Sequence, residues 1–324
     1  MKRILITLLL VGLSLLGRAQ QDVQYSQYMF NGIYINPAYS GYKEQLNFHS
    51  FYRNQWTGIP GSPKSMSVAV DATANDGNVG LSMQITNDNL GAMSNLSAYA
   101  NYAYRLRVGS DESSRLAFGL GIGFVQSGLE GRLLDPIDGG DQYIPTGKVT
   151  NLIPDAKAGI YYSDSRFYAG FSATNLISQF VAKTEDYGAF IPVPKAHFYL
   201  TAGMLLPLSE MVQIKPSILL KDDRGGPTSL DLNALFLLNG KVWIGGAYRT
   251  AVKLYKKNNL QDNLQQQNSV VGMIEVFASE SLRIGYAYDQ SISKLAGYSG
   301  GSHEISIGIY IKPKKVRMLT PRYF

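Results

Sequence analysis

The side chains of this 324-residue sequence that can do chemistry are few and scattered. There are three histidines, His49, His197 and His303, and no cysteine. No second histidine or carboxylate stands at ligand spacing from any of them, so a zinc-type site is not expected. A hydrolase would need a nucleophile and a base that meet across strands, as His197 and a neighbouring serine would have to. Asp135, Asp138 and Asp141 recur every third residue around Gly139 and Gly140. Calcium takes oxygen ligands from flexible loops of this kind, and a solvated polar loop accounts for the same residues. Gly119, Gly121 and Gly123 superficially match a nucleotide-binding loop, which must leave a strand and enter a helix to present N–H groups to phosphate. Here the glycines alternate within one strand. No catalysis, cofactor or metal is expected.

A more coherent set is charged: Arg53, Arg249, Asp289 and Glu304. Its meaning depends on the elements that carry it. Between residues 46 and 311 about fourteen segments of roughly ten residues alternate apolar with polar, the pattern of a membrane-spanning antiparallel up-and-down β-barrel. In 79–86, Val79, Leu81, Met83 and Ile85 share one face, opposite Gly80, Ser82, Gln84 and Thr86. Leu116, Phe118, Leu120, Ile122 and Phe124 repeat the scheme, with small residues between them. Further segments follow at 196–206, 230–238, 282–288 and 305–311. Almost no segment reads as an amphipathic helix able to cover an apolar sheet, so lipid is the expected solvent for the apolar face.

Connection lengths supply direction. The linkers at 74–78, 109–114, 163–165, 207–210, Asn239-Gly240 and Ser279-Glu280 are tight turns, expected on the periplasmic side. The others are expected to face outward with about seven to twenty-five residues, the longest at 130–154, 176–195 and 251–267. An even strand count returns both termini to the periplasm. In this frame Arg53 and Glu304 lie near the outer mouth on the closing strands, both inward. Asp289 shares their level one strand away, and Arg249 two strands before that. Such a constellation either stabilises the wall through cross-strand pairs or governs what enters the lumen. Pro216 removes a ladder hydrogen bond, so a bulge or kink is expected there.

Residues 1–19 read as a secretory signal: Lys2 and Arg3, an apolar run to Leu16, and small residues Gly17 and Ala19 before the cleavage point. Nothing later approaches the length of a spanning helix. Loss of Lys2, Arg3 and Arg18 lowers the formal charge from +6 to +3, too little to argue for nucleic acid. Glycine (33) and tyrosine (22) are abundant and charged residues make up 17%, a mix suited to curved strands and interfacial aromatic girdles. Residues 20–45 form a segment rich in Tyr, Asn and Gln that either plugs the lumen or caps its periplasmic mouth. Residues 312–324 form a basic, Pro-containing periplasmic tail that either lies against anionic lipid or docks a partner.

Several blocks carry a family resemblance. The run Tyr25-Ser26-Gln27-Tyr28-Met29-Phe30-Asn31, followed by Ile35-Asn36-Pro37-Ala38-Tyr39-Ser40-Gly41, resembles the opening signature of the PorP/SprF family of type IX secretion system outer-membrane proteins. Later blocks at 242–249, 285–289, 301–305 and the closing Pro321-Arg322-Tyr323-Phe324 are similar to that family's in the same order. Thr320 stands where many members carry a cysteine, so no role for a terminal thiol carries over. The resemblance implies a barrel in the outer membrane without catalysis. It would act with periplasmic secretion components, or as the dedicated partner of a large secreted surface adhesin that it helps to export or anchor. An outer-membrane channel or solute transporter is the alternative. The candidate partner or lumen contacts are Asn36, Pro37, Tyr39, Arg53, Arg249, Asp289, His303, Glu304, Arg322 and Phe324. For Asn36, Pro37 and Tyr39, ending a helix and starting a turn competes with contact to a periplasmic component or an exported substrate.

Overall fold

The computed structural model describes residues 23–109, 113–134, 145–181, 191, 193–257, 260 and 267–311. The expected signal, Asp135, Asp138, Asp141, Arg322, Phe324 and the basic tail lie outside the described residues.

The strands are β1 (Leu46–Asn54), β2 (Lys64–Ala74), β3 (Val79–Leu90), β4 (Met93–Arg107), β5 (Arg115–Glu130), β6 (Lys148–Ser163), β7 (Phe167–Thr174) and β8 (His197–Met204). After them come β9 (Leu206–Pro207), β10 (Val212–Asp222), β11 (Thr228–Leu238), β12 (Val242–Val252), β13 (Gln267–Phe277), β14 (Leu282–Ser291) and β15 (Ser302–Ile311). All pairings are antiparallel. β1 closes on β15, with Leu46 opposite Ile311 and Arg53 opposite Glu304. The two-residue β9 prolongs β8 along the same edge of β10, so the fifteen segments make fourteen staves of a closed barrel. Around the ring every stave pairs with a neighbour on each side, the condition for β-structure in lipid.

The faces follow the expected alternation. On β3, Leu81, Met83 and Ile85 are 47%, 61% and 53% exposed, while Gly80, Ser82 and Gln84 between them are buried. An outer surface of apolar side chains around a buried polar interior is inverted relative to a water-soluble protein, and lipid is the solvent that favours it.

The interior is filled by the chain's own N-terminal segment. Three short 3-10 turns, Tyr28–Phe30, Gly32–Tyr34 and Pro37–Tyr39, fold it compactly, with the Asn31 and Asn36 side chains capping the second and third. Its Tyr25, Tyr28, Met29, Phe30, Ile33, Ala38, Tyr39 and Tyr42 are all buried against the wall. The segment descends from the long-loop half, where Tyr25 stacks on Phe51 at 4.6 Å, to the short-turn end, where Glu44 pairs with Arg105 at 3.1 Å. Of the two sequence readings, plug or cap, the described residues form a plug.

Glycine lets it seat. A Cβ at Gly119 would overlap the backbone of Pro37 and Ala38, and one at Gly80 would overlap the Ser40 carbonyl. Gly119→Val is therefore expected to destabilise the folded barrel by about 1–3 kcal/mol, the usual cost of overpacking. The check is the temperature at which the compact band converts to the unfolded band on semi-native gels. No change there would mean that the segment does not press on this wall.

Three expectations need correction. The outward connection between β3 and β4 is only Gly91 and Ala92, far shorter than the range expected for that side, because both strands continue pairing up to Leu90 and Met93. The outer linker expected over 130–154 is likewise shortened, since β6 begins at Lys148 and pairs with β5 from Glu130 onward. Pro216 produces no bulge: β10 keeps one register with β8 and β9, and pairing only lapses beside it. The register shift lies instead between Arg249 and Thr250 on the β12–β13 ladder.

Candidate functional site: the plug anchor

Period-two geometry turns alternate side chains of each strand into the lumen. At one level this brings Arg53 of β1, Glu304 of β15, Asp289 of β14 and Arg249 of β12 together. Arg53 lies 3.1 Å from Glu304 and 3.0 Å from Asp289, and Arg249 lies 3.1 Å from Asp289. Asp231 of β11, which lies outside the set expected from the sequence, completes the chain at 3.0 Å from Arg249. Asp231 is the register partner of Arg249, so the cross-strand neighbour was the signal that pointed to it.

These groups are almost fully buried, and isolated charges cannot be buried without large cost, so each must be paired and hydrogen-bonded. The remaining bonding capacity goes to the plug. The Glu304 carboxylate accepts from the backbone N–H of Ser26 at 2.7 Å and of Gln27 at 2.8 Å. Arg53 donates to the Ser26 hydroxyl at 2.9 Å, and Gln24 donates to Asp231 at 3.2 Å. Gln27 in turn accepts from Ser306, and a Cβ at Gly285 would strike its side-chain oxygen. Thus two blocks of the family resemblance, 285–289 and 301–305, together with Arg249 of a third, form the wall on which the opening block docks.

A second set of contacts holds the lower half. The Lys215 ammonium donates to the Met29 carbonyl at 3.2 Å and lies 5.4 Å and 5.1 Å from the rings of Phe30 and Trp243. Asn36 caps Ala38 N–H at 2.9 Å and donates to the Ile160 carbonyl at 3.0 Å. Pro37 is buried with it. Tyr39 meets Tyr161 edge-on at 5.4 Å. The Gly41 N–H reaches Asp71 at 3.1 Å. Asn36, Pro37 and Tyr39 are therefore enclosed by the wall, and a direct contact from them to a periplasmic component would require surface that they do not present.

His303 departs from the inward set. One residue before Glu304, it faces the outside, hydrogen-bonded at 2.7 Å to the exposed Tyr286 hydroxyl. His49 is enclosed beside Phe51 and Tyr34, and His197 bonds the Lys195 carbonyl through Nδ1 at 2.9 Å. No group of three or more His, Cys, Asp or Glu able to hold a metal occurs among the described residues. Above the plug, Tyr25, Tyr34, Tyr99, Lys157, Lys195 and His197 border an outer cavity of about 100 Å³. What the arrangement offers chemically is a set of matched charges and hydrogen bonds that clamp a peptide.

The sequence model of a family described as "Type IX secretion system membrane protein PorP/SprF" matches residues 17–309. No curated protein matches the chain. Among solved structures, the CymD monoaromatic hydrocarbon channel is similar with a TM-score of 0.49 at 11% identity, covering 92% of this chain and 96% of that one. The Acinetobacter baumannii outer membrane protein Omp33 gives 0.47 at 5% identity, covering 85% and 100%. A TodX monoaromatic hydrocarbon channel mutant gives 0.45 at 11%, covering 86% and 92%.

Proposed function

Because this outer-membrane chain belongs to the PorP/SprF family of type IX secretion system membrane proteins, we propose that it assists the export or surface anchoring of a specific secreted protein, such as a large adhesin, without chemistry of its own. The observation that carries this reading is the filled lumen. A porin or solute transporter works through water along its axis. Here the axis is occupied by residues of the chain itself, bonded to Glu304, Arg53, Asp231 and Lys215. A closed cylinder with a clamped interior is suited to presenting a rigid outer rim to a passing or retained protein. The periplasmic ends of the same staves face the remaining secretion components.

The test is deletion of the gene followed by protein identification on the surface of intact cells. Export assistance predicts that one or a few large secreted proteins drop at least tenfold from the surface, with the other outer-membrane proteins unchanged. An unaltered surface inventory would reject the reading.

A further inference from the structure

The barrel rim is uneven. β4, β5 and β6 have 15, 16 and 16 residues, whereas the next stave, β7, has eight. β6 pairs with β5 along its whole length, from Lys148 to Ser163, yet with β7 only from Ala158 to Ser163. Contact on the β7 side then continues to the Leu176 N–H, which donates to the Ala156 carbonyl at 3.1 Å, and to Asp155, whose carboxylate caps the start of the short helix Ser178–Val181. Beyond this point, among the described residues, the outer stretch of β6 has a partner on one side only.

The direction of its backbone groups can be read from two bonds. The Gly147 carbonyl accepts from Gly131, on the β5 side, and the Ala156 carbonyl accepts from Leu176, on the other. Backbone groups alternate along a strand, so Lys148, Thr150, Leu152 and Pro154 direct theirs toward the open side. Pro154, which has no N–H, sits where none is required by the ladder, the usual place for proline in a sheet. Thr150 and Leu152 carry no such blunting, and an unblunted edge is a template for another strand. Leu152 is 62% exposed, and beside it the short helix exposes Phe180 at 78%. The outer cavity shares this side of the rim, and Lys157 and Lys195 line it together with one carboxylate, Asp88, which accepts from the Ser65 hydroxyl. Lys148 at the end of the edge and Lys195 are exposed, whereas Glu130 is held by Arg132 at 2.8 Å.

We infer that the outer edge of β6 is a docking site for an extended, acidic segment of the secreted partner, which adds a strand beside Lys148, Thr150, Leu152 and Pro154. Main-chain bonds supply affinity in this mode, and side chains of alternate residues supply specificity. Acidic side chains on the incoming strand meet the lysines at the rim and cavity. The inference rests on the export reading above and names where that partner binds.

The experiment uses the full chain in its own membrane. Thr150→Pro with Leu152→Pro removes two N–H donors from the open side and leaves the β5–β6 bonds intact. With the barrel still compact on semi-native gels, display of the partner is expected to fall at least tenfold. Display within twofold of the parent overturns the inference, while the gene deletion continues to report on export itself. Since the double variant could fail to fold, Thr150→Cys, unique in this cysteine-free chain, is also labelled with a short photo-crosslinker. The expected adduct is with the protein that deletion removes from the surface. An adduct with a second copy of this chain, or only with residues 182–190 of the same chain, overturns the inference. A deletion that leaves every surface protein in place removes the export reading and this site together.

Discussion

Replacing Glu304 with alanine is expected to destabilise the plugged barrel by about 3–5 kcal/mol, the range for breaking a buried ion pair by removing one partner. The side chain is wholly enclosed, and Arg53 beside it is 3% exposed, so water cannot take the place of the carboxylate without opening the wall. Three donors lose an acceptor at once: Arg53, which keeps Asp289 and the Ser26 hydroxyl, and the backbone N–H groups of Ser26 and Gln27. Glu304→Gln keeps the size and an acceptor oxygen but loses the charge, so its cost should be smaller, about 1–3 kcal/mol. Two readouts separate loss of the plug from loss of the barrel. The midpoint of thermal unfolding reports the whole. Maleimide labelling of Ala38→Cys, at a plug position 2% exposed, reports the plug. Labelling should be slow in the parent and fast in the Glu304→Ala background. Unchanged labelling together with an unchanged midpoint would mean that the anchor contributes nothing to holding the segment.

Removing residues 20–45 should convert a closed barrel into a conducting one. In planar bilayers the full chain is expected to show no steady ion current, and the truncated chain a sustained one. With the plug gone, Arg53, Arg249, Asp231, Asp289 and Lys215 would line a hydrated passage, since all are buried side chains of the wall and face the segment or its anchor. Rings of charge set the selectivity of such passages, so the current should respond to charge reversal at these positions. A full chain that conducts as well as the truncated one would restore the solute-channel alternative and weaken the export reading. A truncated chain that cannot fold would instead locate part of the barrel's stability in the plug. The Gly119→Val variant then gives the independent measure, because it disturbs the seat and leaves the segment in place.

The barrel was legible in the sequence because its signal is local. Alternation of apolar with polar side chains is a two-residue property of each strand, and lipid outside a sealed cylinder demands it on every stave. The inward level shared by Arg53, Arg249, Asp289 and Glu304 followed from counting parity and height in an up-and-down ladder. That counting works wherever register is continuous. It was less reliable for loop lengths: strands can extend beyond the apolar band without any change in period, as β3, β4, β5 and β6 do.

The plug's seat was not legible. Ser26 meets Glu304 across 278 positions of chain, and the segment has no period to announce which wall it faces. Its route down the lumen is settled by which glycines leave room, which carboxylate accepts its N–H groups, and where Lys215 finds a carbonyl. Those conditions come into existence only when the sheet closes, since Arg53 and Glu304 are neighbours because the first strand meets the last. His303 makes the same point on the other face: its type suggested a site, and one residue of parity placed it outside beside Tyr286. Local pattern therefore carries the wall, and closure carries its contents, because a two-residue period is written in each strand while the lumen belongs to none of them.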